Sequence, residues 1–452
     1  MTNSLNYLAK VESSARTYAS SFPRMFTSAK GVRVFDSEGG EYIDCLSNAG
    51  TLALGHNHPE VKDAVRTFLE SDHLQQALDL ATPAKYAFVK QLFSLLPEEL
   101  RINGKIQFCG PTGADAVEAA LKLTKHHTDR PGILAFQGGY HGMTAGALAA
   151  MGNLRPKTSQ WLSGVHFMPY PYALRCPFGT DGSQTDKLSI DYIRNVLSDP
   201  ESGVTKPAAV IVEVVQGEGG CIPASAYWLR ELRHITKQHD IALIVDEVQT
   251  GLGRTGHMFA IQDAGIVPDV LVLSKAIGGG YPMSVVIYHK RLDTWLPGMH
   301  AGTFRGNQIG MVAGEVTMQI IQRDGVAGQA ARNGELLMAG LRRIARNFPF
   351  LAEVRGRGLM VGVEVVHTDT TTRPAPADTA LAKAIKKQCF EQGLILETGG
   401  RHGAVLRFLP PLLISESEIG AVLDRFESSV RKVCGERGTY FPQLKGINPA
   451  KT

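Results

Sequence analysis

Two apolar runs in the middle of the chain end in residues that can do chemistry. Ile241–Asp246 ends on an acid and is followed by Glu247, while Val270–Ser274 is followed at once by Lys275. An acid and a lysine at neighbouring strand ends would form an electrostatic pair, and the run Gly278-Gly279-Gly280 leaves open space above the lysine. A third run, Ala208–Val215, holds Glu213 and leads into Gln216-Gly217-Glu218-Gly219-Gly220. A glutamate inside an apolar strand needs a partner, because burying a lone charge is costly. Gly110-Pro111-Thr112-Gly113-Ala114 precedes a helical stretch, and such a turn can present backbone N–H groups to a phosphate. Singly, each feature has a plainer reading, as a strand-end salt bridge or an ordinary turn. Gly251-Leu-Gly253-Arg-Thr-Gly256 matches GxGxxG, but Asp246–Gln249 separates it from the strand and no strong helix opens after it, so it reads as a loop. His56-Asn57-His58 offers two metal ligands without a third in pattern and reads as structural.

The elements that would position these groups alternate. Gly132–Phe136, Ala208–Val215, Ile241–Asp246, Val270–Ser274 and Met283–Tyr288 are nearly continuous in apolar character, as buried parallel strands are. Asp115–His126 and Tyr227–Gln238 carry their apolar residues on one helical face. This alternation predicts an α/β domain with a mostly parallel sheet, whose ligand lies at the carboxyl ends of its strands. After about residue 310 the pattern changes. Ile309–Arg323 and Val326–Asn347 read as long helices, then strand-like Leu359–Val366, a Thr- and Pro-rich loop, helix-like Thr379–Gln392, strands near Leu394–Glu397 and Ala404–Phe408, and a last helix Glu416–Val433. The expected division is an N-terminal segment 1–60 packing with the small domain, a large domain 61–310, and a small α+β domain 311–452.

Composition sets bounds. A chain of 452 residues with 44% hydrophobic and 20% charged residues is an ordinary globular protein of two or three domains. Its net charge of +4 is too small to argue for nucleic acid or an anionic membrane. The six cysteines form no CxxC pair and no metal spacing, so buried free thiols in a reducing compartment are expected. With no signal-like core at the N-terminus and no apolar run long enough to span a bilayer, the expected location is the cytoplasm.

Together the features say more. The phosphate turn, Tyr140-His-Gly, Glu213 with Gln216-Gly-Glu-Gly-Gly, Asp246-Glu-Val-Gln-Thr-Gly-Leu-Gly-Arg-Thr-Gly, Ser274-Lys-Ala-Ile-Gly-Gly-Gly, and Thr303 before Gly306-Asn307 occur in this order. From about residue 20 to 433 the chain resembles the class III, fold-type I aminotransferases that use pyridoxal 5'-phosphate. The resemblance implies that Lys275 holds the cofactor as a Schiff base and later moves protons as the free amine. It implies that Asp246 pairs with the pyridinium nitrogen, that Gly113 and Ala114 cradle the phosphate, that Tyr140 stacks on the ring, and that Gln249 sits near the phenolic oxygen. Thr303 would reach the cofactor of a partner subunit, making the active site a homodimer property. Glu213 and Arg407 would pair in one half-reaction, and Arg407 would take the α-carboxylate of glutamate or 2-oxoglutarate in the other. The chain departs from the pattern at His141-Gly142-Met143, where many ω-aminotransferases have an arginine for the distal carboxylate; Arg305 and Arg16 are candidates to replace it. Val214-Val215, where a proline is usual, and Pro111-Thr112 are changes expected to be tolerated.

Met168-Pro-Tyr-Pro-Tyr, Cys176-Pro-Phe-Gly, His300-Ala-Gly-Thr-Phe-Arg-Gly-Asn-Gln and Glu397-Thr-Gly-Gly-Arg-His-Gly are similar to the diaminobutyrate:2-oxoglutarate aminotransferases. That likeness implies exchange of the 4-amine of L-2,4-diaminobutyrate with 2-oxoglutarate, in either direction, often in siderophore or diaminopropane routes. The competing expectations are an ornithine or 4-aminobutyrate aminotransferase, an aminomutase or decarboxylase on the same fold, and a binding protein that has lost catalysis.

Overall fold

The computed structural model describes residues 2–153, 164–368 and 370–436; the remainder of the expected small domain, 437–452, lies outside them. A seven-stranded sheet forms the centre, in the order Gly104–Phe108, Val285–His289, Val270–Leu273, Ala242–Asp246, Ala209–Glu213, Ile133–Phe136, Val165–Met168. Ile133–Phe136, Ala209–Glu213, Ala242–Asp246 and Val270–Leu273 are buried at every position, which is why their sequences are apolar without alternation. They run parallel, as expected. Val285–His289 does not: it is antiparallel to both neighbours, a correction to its reading as one more parallel strand. The segment after Lys275 is too short for a parallel crossover, which needs roughly a dozen residues or more. The edge strands Gly104–Phe108 and Val165–Met168, only partly buried, went unread for want of an apolar run.

Helices cover this sheet. Ala226–Gln238 starts where Ser225 Oγ accepts the Trp228 N–H at 3.1 Å, and buries Trp228, Leu229, Leu232 and Ile235. A second sheet is antiparallel throughout, in the order Leu351–Arg357, Met360–Val365, Val405–Phe408, Glu397–Gly399. A third joins the chain's two ends. Phe26–Lys30, Arg33–Asp36 and Glu41–Asp44 are completed by Leu394–Ile395, which pairs parallel to Glu41–Asp44. Tyr42 stacks on Phe390 with centroids 4.9 Å apart, and Phe22 meets the same ring at 5.2 Å. The run expected as one strand near Leu394–Glu397 is therefore split between two sheets.

The GxGxxG segment is a loop, and its work is mechanical. Arg254 is buried and donates through Nη1 to the carbonyls of Leu359, at 3.0 Å, and Pro410, while its own carbonyl accepts the Leu359 N–H at 3.0 Å. This fastens the second sheet to the first. His56 Nε2 is 2.8 Å from Asp44 Oδ2, and Asn57 donates to the Ala29 carbonyl. No helix among the described residues is long and apolar enough to cross a membrane.

The helix Gln308–Arg323 packs directly on the turn after Lys275. A Cβ added at Gly314 would stand 2.0 Å from the Ile277 carbonyl oxygen, so backbone meets backbone there. Gly314→Ala should destabilise the protein by about 1–3 kcal/mol, the usual cost of overpacking. An unchanged melting temperature would mean that this contact does not hold the lysine turn.

Candidate active site

The central strands end together. Asp246 is in register with Glu213 on one side and with Val272 on the other, one strand-end before Ser274 and Lys275. Asp246 is buried and uses both oxygens: Oδ1 accepts the Val248 N–H at 3.0 Å, and Oδ2 lies 2.8 Å from His141 Nδ1. Burial works against a charged His141, but the hydrogen bond to Asp246 and the charges of Asp246 and Glu213 outweigh it and raise its pKa above 6.5. Glu213 is satisfied by backbone alone. Oε2 accepts the Tyr140 N–H at 2.9 Å and Oε1 the Gly217 N–H at 3.1 Å. Burial pushes its carboxyl pKa up, with Asp246 adding to the rise against the pull of His141 and the two amides.

The expected Glu213–Arg407 pair does not form, and Glu218 takes its place: Arg407 Nη2 donates to Glu218 Oε1 at 2.6 Å. Glu213 sits at a strand end with its oxygens held by the 140 and 217 turns, whereas Arg407 comes from the second sheet and meets the turn after the strand, where Glu218 stands. A Cβ at Gly399 would be 2.8 Å from Arg407 Nε, so only a glycine lets the guanidinium lie across that strand. Nε and Nη1 of Arg407 are buried and meet no partner among the described residues. Burial disfavours its charge, but Glu218 more than offsets this and raises its pKa.

Asp246, His141, Glu213 and Glu218 border a cavity of about 460 Å³, lined also by Thr112, Tyr140, Gln249 and Lys275. At one wall the helix Gly113–Thr128 begins with a capping box, in which Thr112 and Asp115 satisfy each other's backbone N–H groups. The N–H groups of Gly113 and Ala114 then meet no acceptor among the described residues, as an anion cradle requires. A Cβ at Gly113 would press on Val248 at 2.9 Å. Gln249 lines the cavity while its Nε2 donates to the Ala49 carbonyl at 2.9 Å. Lys275 reaches the cavity from a left-handed backbone, φ 50°, a conformation costing a non-glycine residue about 1–2 kcal/mol. Burial, helped by Arg407, lowers its pKa against the opposing pull of Glu218, Asp246 and Glu213.

Other expected site residues lie elsewhere in the chain. Thr303 is exposed and does not line this cavity. Arg16 pairs with Glu12 at 3.1 Å and Arg305 with Asp79 at 3.2 Å, and neither lines this cavity, whereas Met143 does. Sequence reasoning gave no role to His141 or Glu218, although both stood inside the motifs it singled out.

The raised His141 pKa makes a signed prediction. Its stabilising contribution is full below the unfolded value of 6.5 and is lost as pH rises through the folded value. His141→Asn, which keeps a donor but no charge, should therefore lower the melting temperature most near pH 6 and progressively less at alkaline pH. A deficit that grew with pH would mean that His141 is neutral.

Comparison with known proteins agrees with this geometry. Residues 14–430 match the aminotransferase class-III family. A diaminobutyrate--2-oxoglutarate aminotransferase of Rhizobium meliloti (strain 1021) is 53% identical over 93% of this chain and 92% of its own. One from Haemophilus influenzae is 46% identical, with 93% of each chain covered. Among solved structures, an amine transaminase from an uncultivated Pseudomonas species in its PLP-bound form superposes with a TM-score of 0.84 at 27% identity, covering 94% of this chain and 98% of that one. An ornithine aminotransferase from Toxoplasma gondii gives 0.80 at 26% identity, covering 97% and 96%. With an acid, a lysine and a free helix N-terminus facing one cavity, and a family match from residue 14 to 430, the chain belongs to the class-III aminotransferases.

Proposed function

We propose that this enzyme exchanges the 4-amino group of L-2,4-diaminobutyrate with 2-oxoglutarate, giving aspartate 4-semialdehyde and glutamate or running in reverse, with pyridoxal 5'-phosphate in the cavity. The observation that carries a two-substrate reading is Arg407, a buried guanidinium with two unused N–H sites and one covering carboxylate, Glu218. Diaminobutyrate as the amino donor is supported by the names of the relatives at 53% and 46% identity.

The residues fit the cofactor. Gly113 and Ala114 would hold the phosphate, Tyr140 and Val248 the two ring faces, Asp246 the ring nitrogen, Gln249 the phenolic oxygen and Lys275 the aldehyde carbon. When bound, pyridoxal phosphate supplies a carbonyl that takes up amines and a protonated ring that accepts the electron pair of a breaking C–H bond. Asp246 is held in place toward that ring by His141 and the Val248 N–H, which engage both its oxygens. Lys275 Nζ, with its pKa lowered by burial, is the group that takes the proton from the donor carbon and returns it. Arg407 is covered by Glu218 when the uncharged chain of the diamine passes, and is uncovered to grip the α-carboxylate of glutamate. Thr303, exposed on the surface, would complete the phosphate site of a second subunit in a homodimer. Five of the six cysteines are buried, which suits a reducing cytoplasm. We divide the chain near residues 60 and 310, supported by the third sheet, which joins the N-terminal strands to Leu394–Ile395.

The test of the substrate is kcat/KM for diaminobutyrate, 4-aminobutyrate and ornithine with 2-oxoglutarate, read as glutamate formed. Diaminobutyrate should lead clearly; parity with either rival would leave an aminotransferase with another donor. For the switch, Arg407→Lys loses the planar fork. The 2-oxoglutarate half-reaction should weaken by about 1.5–3 kcal/mol, the range for hydrogen bonds to charged groups, and the diamine half-reaction less. Equal damage to both would make Arg407 a structural residue.

A further inference from the structure

Diaminobutyrate and glutamate pose different recognition problems once the reacting nitrogen is fixed. Counting from that nitrogen, the two carbon chains reach their far carboxylates over the same number of bonds. Glutamate carries an extra carboxylate beside the reacting nitrogen, and diaminobutyrate an ammonium beside its far carboxylate. One site that handles both therefore needs a cation for the first group and an anion for the second. Arg407 is the cation. The anion must stand on a neighbouring wall.

Glu397 stands there. It lies directly opposite Arg407 in the antiparallel pair of Glu397–Gly399 with Val405–Phe408, and opposite residues project on one face. That face covers the gate: a Cβ at Gly399 would be 2.8 Å from Arg407 Nε and 3.1 Å from the Glu218 carbonyl oxygen, which the Gly400 N–H meets at 2.7 Å. Tyr18, from the N-terminal segment, has its pKa raised by burial and by the charges of Glu218 and Glu397, against the pull of Arg407. The Glu397 side chain is 12% exposed and uses only one oxygen. Oε1 accepts Lys386 Nζ at 2.8 Å, the Thr398 N–H at 2.7 Å and Thr398 Oγ1 at 3.4 Å. Oε2 meets no donor among the described residues.

We propose that Glu397 receives the α-ammonium group of the diamino acid on its unused Oε2. This rests on the diaminobutyrate reading above. Lys386, held on Oε1, keeps the pair neutral, so the far carboxylate of glutamate is not repelled in the other half-reaction. A carboxylate mostly removed from water strongly prefers a donor that fills its free oxygen over an analogue that leaves it unpaired.

The plainer role of Glu397 is to anchor the N-terminal segment, because Lys386 Nζ also donates to Ser21 Oγ at 2.9 Å. Glu397→Gln and Lys386→Met separate the two. Each half-reaction is followed alone, by the cofactor's absorbance on mixing with diaminobutyrate or with glutamate. Glu397→Gln should weaken diaminobutyrate binding about tenfold or more, as losing a charged hydrogen bond does, leave the glutamate half within about twofold, and erase the preference over 4-aminobutyrate by the same factor. Lys386→Met, which breaks the bridge but keeps the carboxylate, should retain that preference. Equal losses in both halves for Glu397→Gln, or the same loss of diaminobutyrate binding in Lys386→Met, would overturn the assignment. A wild-type enzyme without preference for diaminobutyrate would instead overturn the substrate reading, and this inference with it.

Discussion

A carboxylate buried at the end of a central strand must be held and balanced, and the site is arranged around how Asp246 meets that demand. Its strand is buried at every position, so no water can be relied on to solvate the charge. The Val248 N–H and His141 supply the two hydrogen bonds. His141 reaches it from the turn Gln137–Gly142, which comes off the parallel strand next but one, beyond Ala209–Glu213, and that turn also carries Tyr140. The same hydrogen bond that orients Asp246 thus sets the aromatic residue beside it. Glu213, in register with Asp246, would be a second unbalanced charge in the same layer. It is tied to the Tyr140 and Gly217 N–H groups, so the two turns that flank the cavity share one buried acceptor.

The second charge system sits one layer out and obeys another rule. Arg407 is buried in the second sheet and has more donors than Glu218 can satisfy. An incompletely paired buried guanidinium is costly, and the cost is tolerable if a ligand carboxylate periodically completes it. This explains the glycine beside it: a Cβ at Gly399 would meet Arg407 Nε at 2.8 Å and the Glu218 carbonyl oxygen at 3.1 Å. The Arg407–Glu218 pair is positioned by close backbone approach as much as by its two charges.

Much of this was legible in the sequence. Fully buried strands announce themselves by unbroken apolar runs, and Asp246 and Lys275 fall where parallel strands end. What could not be read were partners chosen by backbone geometry. Glu213 and Glu218 are five residues apart in one motif, and only the positions of the Tyr140 and Gly217 N–H groups decide which acid is left to face Arg407. The same holds for the reversed strand Val285–His289, whose composition is that of its parallel neighbours. The edge strand Gly104–Phe108 was missed because a partly exposed strand has no need of an apolar run.

The motifs that pointed to diaminobutyrate turn out to be largely supports. Tyr170 donates to the Glu213 carbonyl at 3.1 Å, which holds the strand end from behind. Tyr172 bonds Glu364 of the second sheet, and Arg355 and Arg401 lie over its ring, at 4.9 and 5.8 Å. Arg401 then reaches the Gln137 carbonyl at 3.1 Å, at the start of the turn that bears Tyr140 and His141. The short strand that carries Glu397 and covers Arg407 is therefore fastened, through Arg401 two residues beyond it, to the turn whose His141 holds Asp246. A displacement of that strand by a misfitting donor would be felt at Tyr140 and His141. The strand that covers Arg407 and the turn that holds Asp246 share one mechanical support, so substitutions in these motifs should disturb both together, unlike a change confined to a single side-chain contact.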